Sequence, residues 1–182
     1  MVVYLFPTSV HPKIVANQKR KLDLVKRETD LIIADSESTK EDLVKFLQIP
    51  QEKVKVVYLA ASAEFKPQDE NRVSEVLAKY KIKKPYILSV STQEPRKNIQ
   101  KLIDAFQKIN QKNPDVSLVL VGKYGWGPTA SVDNDENIIY TGYVSQDDLI
   151  SLYSGCRVFA HPSLYEGFGL PILQAMAAGS PT

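Results

Sequence analysis

The chain has 182 residues, of which 43% are hydrophobic and 24% charged, with a formal net charge of +2. That balance is ordinary for a globular protein, and too close to neutral to point to nucleic acid as a partner. The single Cys156 excludes an internal disulfide framework and a multi-cysteine metal site, and no apolar run reaches membrane-spanning length.

A chain of this size builds one good core, or one domain and part of another. Residues 2–6 (VVYLF) read as a strand that starts with no lead-in and no charged-then-apolar leader pattern. From His11 to Glu28, Ile14, Val15, Leu22 and Val25 form a loose helical stripe among Lys and Arg. The basic face of that helix reads as solvated. Leu31–Ala34 reads as a buried strand. Ser38-x-x-Glu41 matches a capping box, opening a helix through Leu43, Val44, Phe46 and Leu47 that Pro50 stops. Val54–Leu59 is strand-like.

Residues 60–70 form a polar, Pro-containing connector, where a domain boundary is expected. Arg72–Tyr80 reads as a short helix and Lys81–Lys84 as a basic turn. Tyr86–Ser91 is the next strand, followed by an amphipathic helix, Ile99–Asn110, carrying Leu102, Ile103, Phe106 and Ile109. Val116–Val121 is a buried strand ending at Gly122, and 123–137 is a loop rich in Gly and Asp/Asn. Ile138–Tyr140 is a strand, Ser145 caps a helix carrying Leu149, Ile150 and Leu152, and Val158–Ala160 is a strand. This alternation predicts an α/β fold with a Rossmann-like, doubly wound parallel sheet. Ligands of such sheets bind outside the carboxyl ends of the strands.

Val158–Gly179 is the most informative stretch: a short apolar run, a loop with Glu166, Gly167 and Gly169, then an apolar helix opened by Pro171. Pro near the first helical position loses no hydrogen bond, because the first amides have no internal partner. Those amides and the helix dipole favour an anion. Glu166 beside them suits hydroxyl groups, so a ligand with both phosphate and hydroxyls, such as a nucleotide sugar, satisfies both halves. After Tyr86–Ser91, Arg96 and Lys97 lie just before a helix, a placement that conflicts with the dipole unless an anion is bound. The alternative is a solvated basic loop. After Val121, the glycines of GKYGWGP either cradle phosphate or make turns, and Trp126 either joins them or packs. Gln174 lies eight residues beyond Glu166, either on the site's face or on the surface. His11 and His161 read as structural and Cys156 as core.

The loops EPRKN, the Gly-rich turn and HPSLYEGFGLPILQA together resemble retaining glycosyltransferases of family 4. ADSESTKEDL and VVYLAASAEFKP resemble the same family, so the likeness covers nearly the whole chain. It implies the GT-B fold, with 1–60 as the tail of an acceptor domain, 61–84 as connector and first helix, and 85–182 as the nucleotide-sugar-binding domain. Both ends read as cut, and such a fragment alone is expected to bind donor weakly and not to transfer sugar. The resemblance implies transfer of a hexose from a nucleoside-diphosphate sugar to an acceptor hydroxyl, with no essential metal and no other cofactor. Polysaccharide or lipid-linked glycan is the acceptor class, in the cytoplasm or peripherally at the inner membrane face. Lys97, with Arg96, is expected to neutralise the diphosphate, and Glu166 to hold sugar hydroxyls. The Gly122 turn and the amides of Phe168, Gly169 and Leu170 are expected at the phosphates, and Gln174 at the ribose. The family has glutamate where this chain has Gln174, and often a further Arg where it has Ser91–Thr92. A non-catalytic nucleotide-binding module and another GT-B enzyme, such as a nucleotide-sugar epimerase, are the competing readings.

Overall fold

A computed structural model describes residues 1–125 and 135–182, and the chain divides into two units. The first unit holds Met1–Ala60 and Tyr165–Gly169; the second holds Ala61–Leu164 and Leu170–Thr182.

In the first unit the opening residues are helical (α1, Val2–Leu5), not the strand expected for 2–6. The first unit's described sheet has only two strands, and this apolar run pairs with neither. Its backbone groups are satisfied locally instead, Phe6 N donating to Val2 O at 2.7 Å, and the Tyr4 ring stacks 5.9 Å from Phe46. Helix α2 spans Pro12–Glu28, capped by His11, whose Nδ1 accepts from Lys13 N at 3.3 Å. Strands β1 (Ile32–Ala34) and β2 (Val54–Val56) pair in parallel. β1 is not the buried strand expected: only Ala34 is buried, while Ile33 is 68% exposed. β2 is shorter than the expected Val54–Leu59. Between them, α3 (Glu37–Leu47) is capped by Ser36, whose Oγ accepts from Thr39 N at 3.0 Å. The expected Ser38–Glu41 box therefore lies inside the helix, because Ser36 is already the extended residue that leaves β1. The helix ends at left-handed Gln48 (φ 54°), ahead of Pro50.

Among its described residues the second unit holds a four-stranded parallel sheet in the order β5–β4–β3–β6. Its strands are β3 (Tyr86–Val90), β4 (Ser117–Val121), β5 (Ile138–Gly142) and β6 (Val158–Phe159). Four helices accompany them: α4 (Glu70–Lys79), α5 (Ile99–Asn110), α6 (Gln146–Gly155) and α7 (Leu170–Ala177). Alternation along the strands feeds two cores. Ile99, Ile103 and Phe106 of α5 pack with Leu118 and Leu120 on one face. Tyr86, Leu88, Val119 and Val121 meet α4, α6 and α7 on the other. Strand order runs outward from β3 through β4 to β5, then returns to place β6 on the far side of β3. That reversal is the switch point at which ligands bind in open α/β sheets.

Polar groups fix the helices. Ser145 caps α6, its Oγ accepting from Asp148 N at 3.3 Å, and Asp69 caps α4 through Arg72 N, so α4 starts before Arg72. Asp148 is 3% exposed and accepts from Arg72 (3.0 Å), Lys79 (2.6 Å) and Tyr80 (2.9 Å), tying α6 to α4. Burial pushes its carboxyl up, but the hydrogen bonds from Lys79 and Tyr80 outweigh burial and hold it below the ordinary carboxylate range.

Candidate functional site

Pairing of β3 with β4 continues past the strands into their loops. Ser91 N donates to Val121 O at 2.9 Å and Gln93 N to Lys123 O at 3.0 Å. Gly122 makes this possible. At φ 136° it adopts a backbone that side chains disfavour, and a Cβ there would lie 2.0 Å from Ser91 O. The glycine therefore has a packing reason of its own, and it brings the end of β4 against the end of β3. Trp126 and Gly127 of the same turn lie outside the described residues.

The loop after β3 makes one 3-10 turn, Pro95–Lys97, then passes through left-handed Asn98 (φ 57°) into α5. Arg96 lies 3.6 Å from Glu94, with side chains 13% and 28% exposed, so its charge is met inside its own loop. Lys97 is half-buried. This loop is stitched to the loop after β6: Leu164 N donates to Arg96 O at 2.9 Å and Asn98 Nδ2 to Pro162 O at 3.2 Å. Thus the two loops that flank the switch point are held together, with both cations on one of them.

Leu170 opens α7, Pro171 is its second residue, and Gln174 is half-buried one turn on. Pro181, after the helix, accepts from Phe159 N at 2.7 Å, so α7 runs back from the carboxyl side of the sheet. Its free amides therefore lie at the carboxyl side. His161 is half-buried, its ring 5.9 Å from Phe159. Cys156 is a core thiol bonded to Ser180 Oγ at 2.8 Å, and burial pushes it up.

Glu166, Phe168 and Gly169 belong to the segment grouped with the first unit. There Ser36 Oγ and Thr39 Oγ1, at the start of α3, donate to Gly167 O. Tyr165 OH donates to Asp42, and the Phe168 ring lies 6.5 Å from Tyr58. A Cβ on Gly167 would sit 3.2 Å from Thr39 Oγ1. The structure thus joins Arg96, Lys97 and the 160–164 loop in one unit, and Glu166, Gly167 and Phe168 with α3 in the other.

Three polar atoms escape a reading of the sequence. Gln93, 7% exposed, has a buried Oε1 with no hydrogen-bond partner, and Ser91 Oγ and Ser163 Oγ are likewise unpartnered. Asp35 Oδ1, Ser89 Oγ, Tyr140 OH and Tyr153 OH are unpartnered as well, so it is their place beside the strand-end loops that sets these three apart. Their one signal in the sequence is position, within five residues of a strand end.

The pattern of the family Glycosyl transferases group 1 matches residues 70–182. The chain belongs to that family. O-antigen chain mannosyltransferase B of Escherichia coli is 35% identical over 159 residues, which is 83% of this chain and 42% of that protein. MMP alpha-(1->4)-mannosyltransferase of Mycolicibacterium hassiacum is 29% identical over 172 residues, 92% of this chain and 38% of that protein. Among solved structures, Anabaena Alr3699/HepE in complex with UDP and glucose has a TM-score of 0.74 at 24% identity, covering 91% of this chain and 47% of that one. The fold is the α/β, parallel-sheet architecture of GT-B glycosyltransferases. The chain spans less than half the length of these relatives. No described helix is long and apolar enough to cross a membrane.

Proposed function

We propose that the chain handles the donor in a glycosyltransferase moving a hexose from a nucleoside-diphosphate sugar to an acceptor hydroxyl with retention of configuration. The observation that supports this best is the stitched pair of loops at the switch point, with Lys97 and Arg96 on one of them. In the reaction the bond from the anomeric carbon to phosphate oxygen breaks, and the acceptor oxygen bonds that carbon and passes its proton to the departing phosphate oxygen. The nucleoside diphosphate leaves with the electron pair. Lys97 acts on the charge that develops there, where a fixed cation lowers the barrier most. Arg96, the Gly122 turn and the amides of Phe168, Gly169 and Leu170 hold the phosphates, Glu166 the sugar hydroxyls, and Gln174 the ribose. With a cation and a helix N-terminus assigned to the diphosphate, the reading calls for no metal. Two relatives are named as mannosyltransferases, so mannose is the hexose proposed, and the O-antigen name favours a glycan acceptor.

The test incubates the full-length enzyme that carries this chain with nucleotide-linked mannose and a polysaccharide or lipid-linked glycan, and reads the product's anomeric configuration by NMR. A mannoside of the donor's configuration is expected. An inverted product overturns retention. Donor binding with no transfer favours the competing reading, a non-catalytic module, for which Gln174 in place of glutamate is the observation.

A further inference from the structure

We propose that α3 is a clasp for Glu166: Ser36, Thr39 and Asp42, together with Tyr165, are positioning residues that fix this carboxylate for the sugar of the donor. This rests on the donor reading above, which assigns Glu166 to the sugar hydroxyls. Both chain neighbours of Glu166 are tied to one helix of the first unit. On one side, Tyr165 OH donates to Asp42 Oδ2, and the Tyr165 ring lies 6.2 Å from that of Phe6. On the other side, Gly167 O accepts from Ser36 Oγ and from Thr39 Oγ1. The next ring along, Phe168, lies 6.5 Å from Tyr58. Ser36 caps α3, and Thr39 and Asp42 follow at three-residue spacing, which sets the three along one side of the helix.

The helix does not need these bonds for itself. Leu43 and Leu47 seat α3 on the core of the first unit, and Ser36 Oγ completes its cap by accepting from Thr39 N at 3.0 Å. The bonds to residues 165 and 167 therefore serve the loop. Ordering a loop costs conformational entropy, and a loop ordered before its ligand arrives removes that cost from binding. Tyr165 donates to a charged acceptor, a bond roughly twice as strong as a neutral one. Gly167 lets the other tie close: a Cβ there would lie 3.2 Å from Thr39 Oγ1 and 3.6 Å from Asp35 Oδ2, pressing on the hydroxyl that makes the bond. With both neighbours pinned, the Glu166 carboxylate has its side-chain rotamers to settle and little backbone freedom.

The test is calorimetric titration of the full-length enzyme that carries this chain with two pairs of ligands, GDP and GDP-mannose, and UDP and UDP-glucose. Tyr165→Phe and Thr39→Val each remove one hydroxyl and keep the shape. Each is expected to weaken the sugar nucleotide about tenfold, the worth of one hydrogen bond, and the bare diphosphate by less than about twofold. Thr39→Ser keeps the hydroxyl and is expected to restore wild-type affinity, and Asp42→Asn, whose amide oxygen still accepts from Tyr165, is expected to lose less than Tyr165→Phe. Glu166→Ala separates this inference from the reading it rests on. If Glu166→Ala weakens the sugar nucleotide while Tyr165→Phe and Thr39→Val do not, the donor reading stands and the clasp is overturned. Equal losses for sugar nucleotide and bare diphosphate in the two hydroxyl variants also overturn the clasp, because they report general damage. If Glu166→Ala changes nothing, or neither pair of ligands binds, the role of Glu166 falls and the clasp falls with it.

Discussion

Where α4 meets α6, the buried Asp148 takes donors from Arg72, Lys79 and Tyr80; where the loops leave β3 and β6, Gln93 Oε1, Ser91 Oγ and Ser163 Oγ are buried with no partner. Both regions belong to the second unit and both place polar groups out of water. The first completes its bonding within the chain. The second leaves it open. A buried carboxylate stabilises only when its desolvation is offset by several good bonds, and Asp148 meets that condition. Unmet donors and acceptors cost stability, so they persist where something else meets them.

The sharpest way to break the contrast is Asp148→Asn. The amide cannot accept from all three donors, and its own NH2 faces two cations. Loss of about 3 kcal/mol is expected, at the lower end for a broken buried ion pair because Arg72 and Lys79 reach solvent. A lower urea midpoint with unchanged slope checks it. The loss depends on pH with a definite sign. The folded carboxyl lies below its unfolded value, so its stabilisation is complete above about pH 4 and fades as pH falls through the folded value. The gap between wild type and Asp148→Asn is therefore widest above about pH 4 and closes below it. A constant gap down to about pH 2 shows that packing, not charge, links the helices.

Lys97→Ala tests the other region. Nucleoside-diphosphate affinity is expected to fall about 10- to 100-fold, the worth of one charged hydrogen bond, in calorimetric titration. Arg96→Ala is expected to do less to affinity, since Glu94 already meets its charge. Equal losses from both would show that the Arg96–Glu94 pair opens to the ligand.

Much of this division is legible in the order of the residues alone. Ile99, Ile103 and Phe106 recur at helical spacing, and α5 spans the expected Ile99–Asn110. The continuous apolar run to Val121 marks a strand buried on both faces, and every residue of β4 is buried. Residues 2–6 mislead because strand preference counts only when a neighbour is there to pair. Ser36 is hidden behind the better-looking Ser38 because a cap depends on where the preceding strand ends. Asp148 looks like an ordinary acid in the first turn of a helix, as its partners lie about 70 residues away on α4.

The smallest effect concerns Gln174. A glutamine can both donate to and accept from a ribose hydroxyl, whereas a carboxylate accepts only, but as an ion it accepts more strongly. Gln174 stands half-buried on α7, whose interior contacts come from Ala175 and Ile172. Gln174→Glu therefore disturbs no core residue, and folding stability is expected to change by less than about 0.5 kcal/mol. Donor affinity is expected to rise about threefold, and the gain should be absent for a 2′,3′-dideoxynucleoside diphosphate, which lacks the hydroxyls. A gain that persists without them would place the new charge elsewhere than the ribose. A loss for every nucleotide would place residue 174 next to the phosphates, which repel a carboxylate, and would move the open region one turn further along α7.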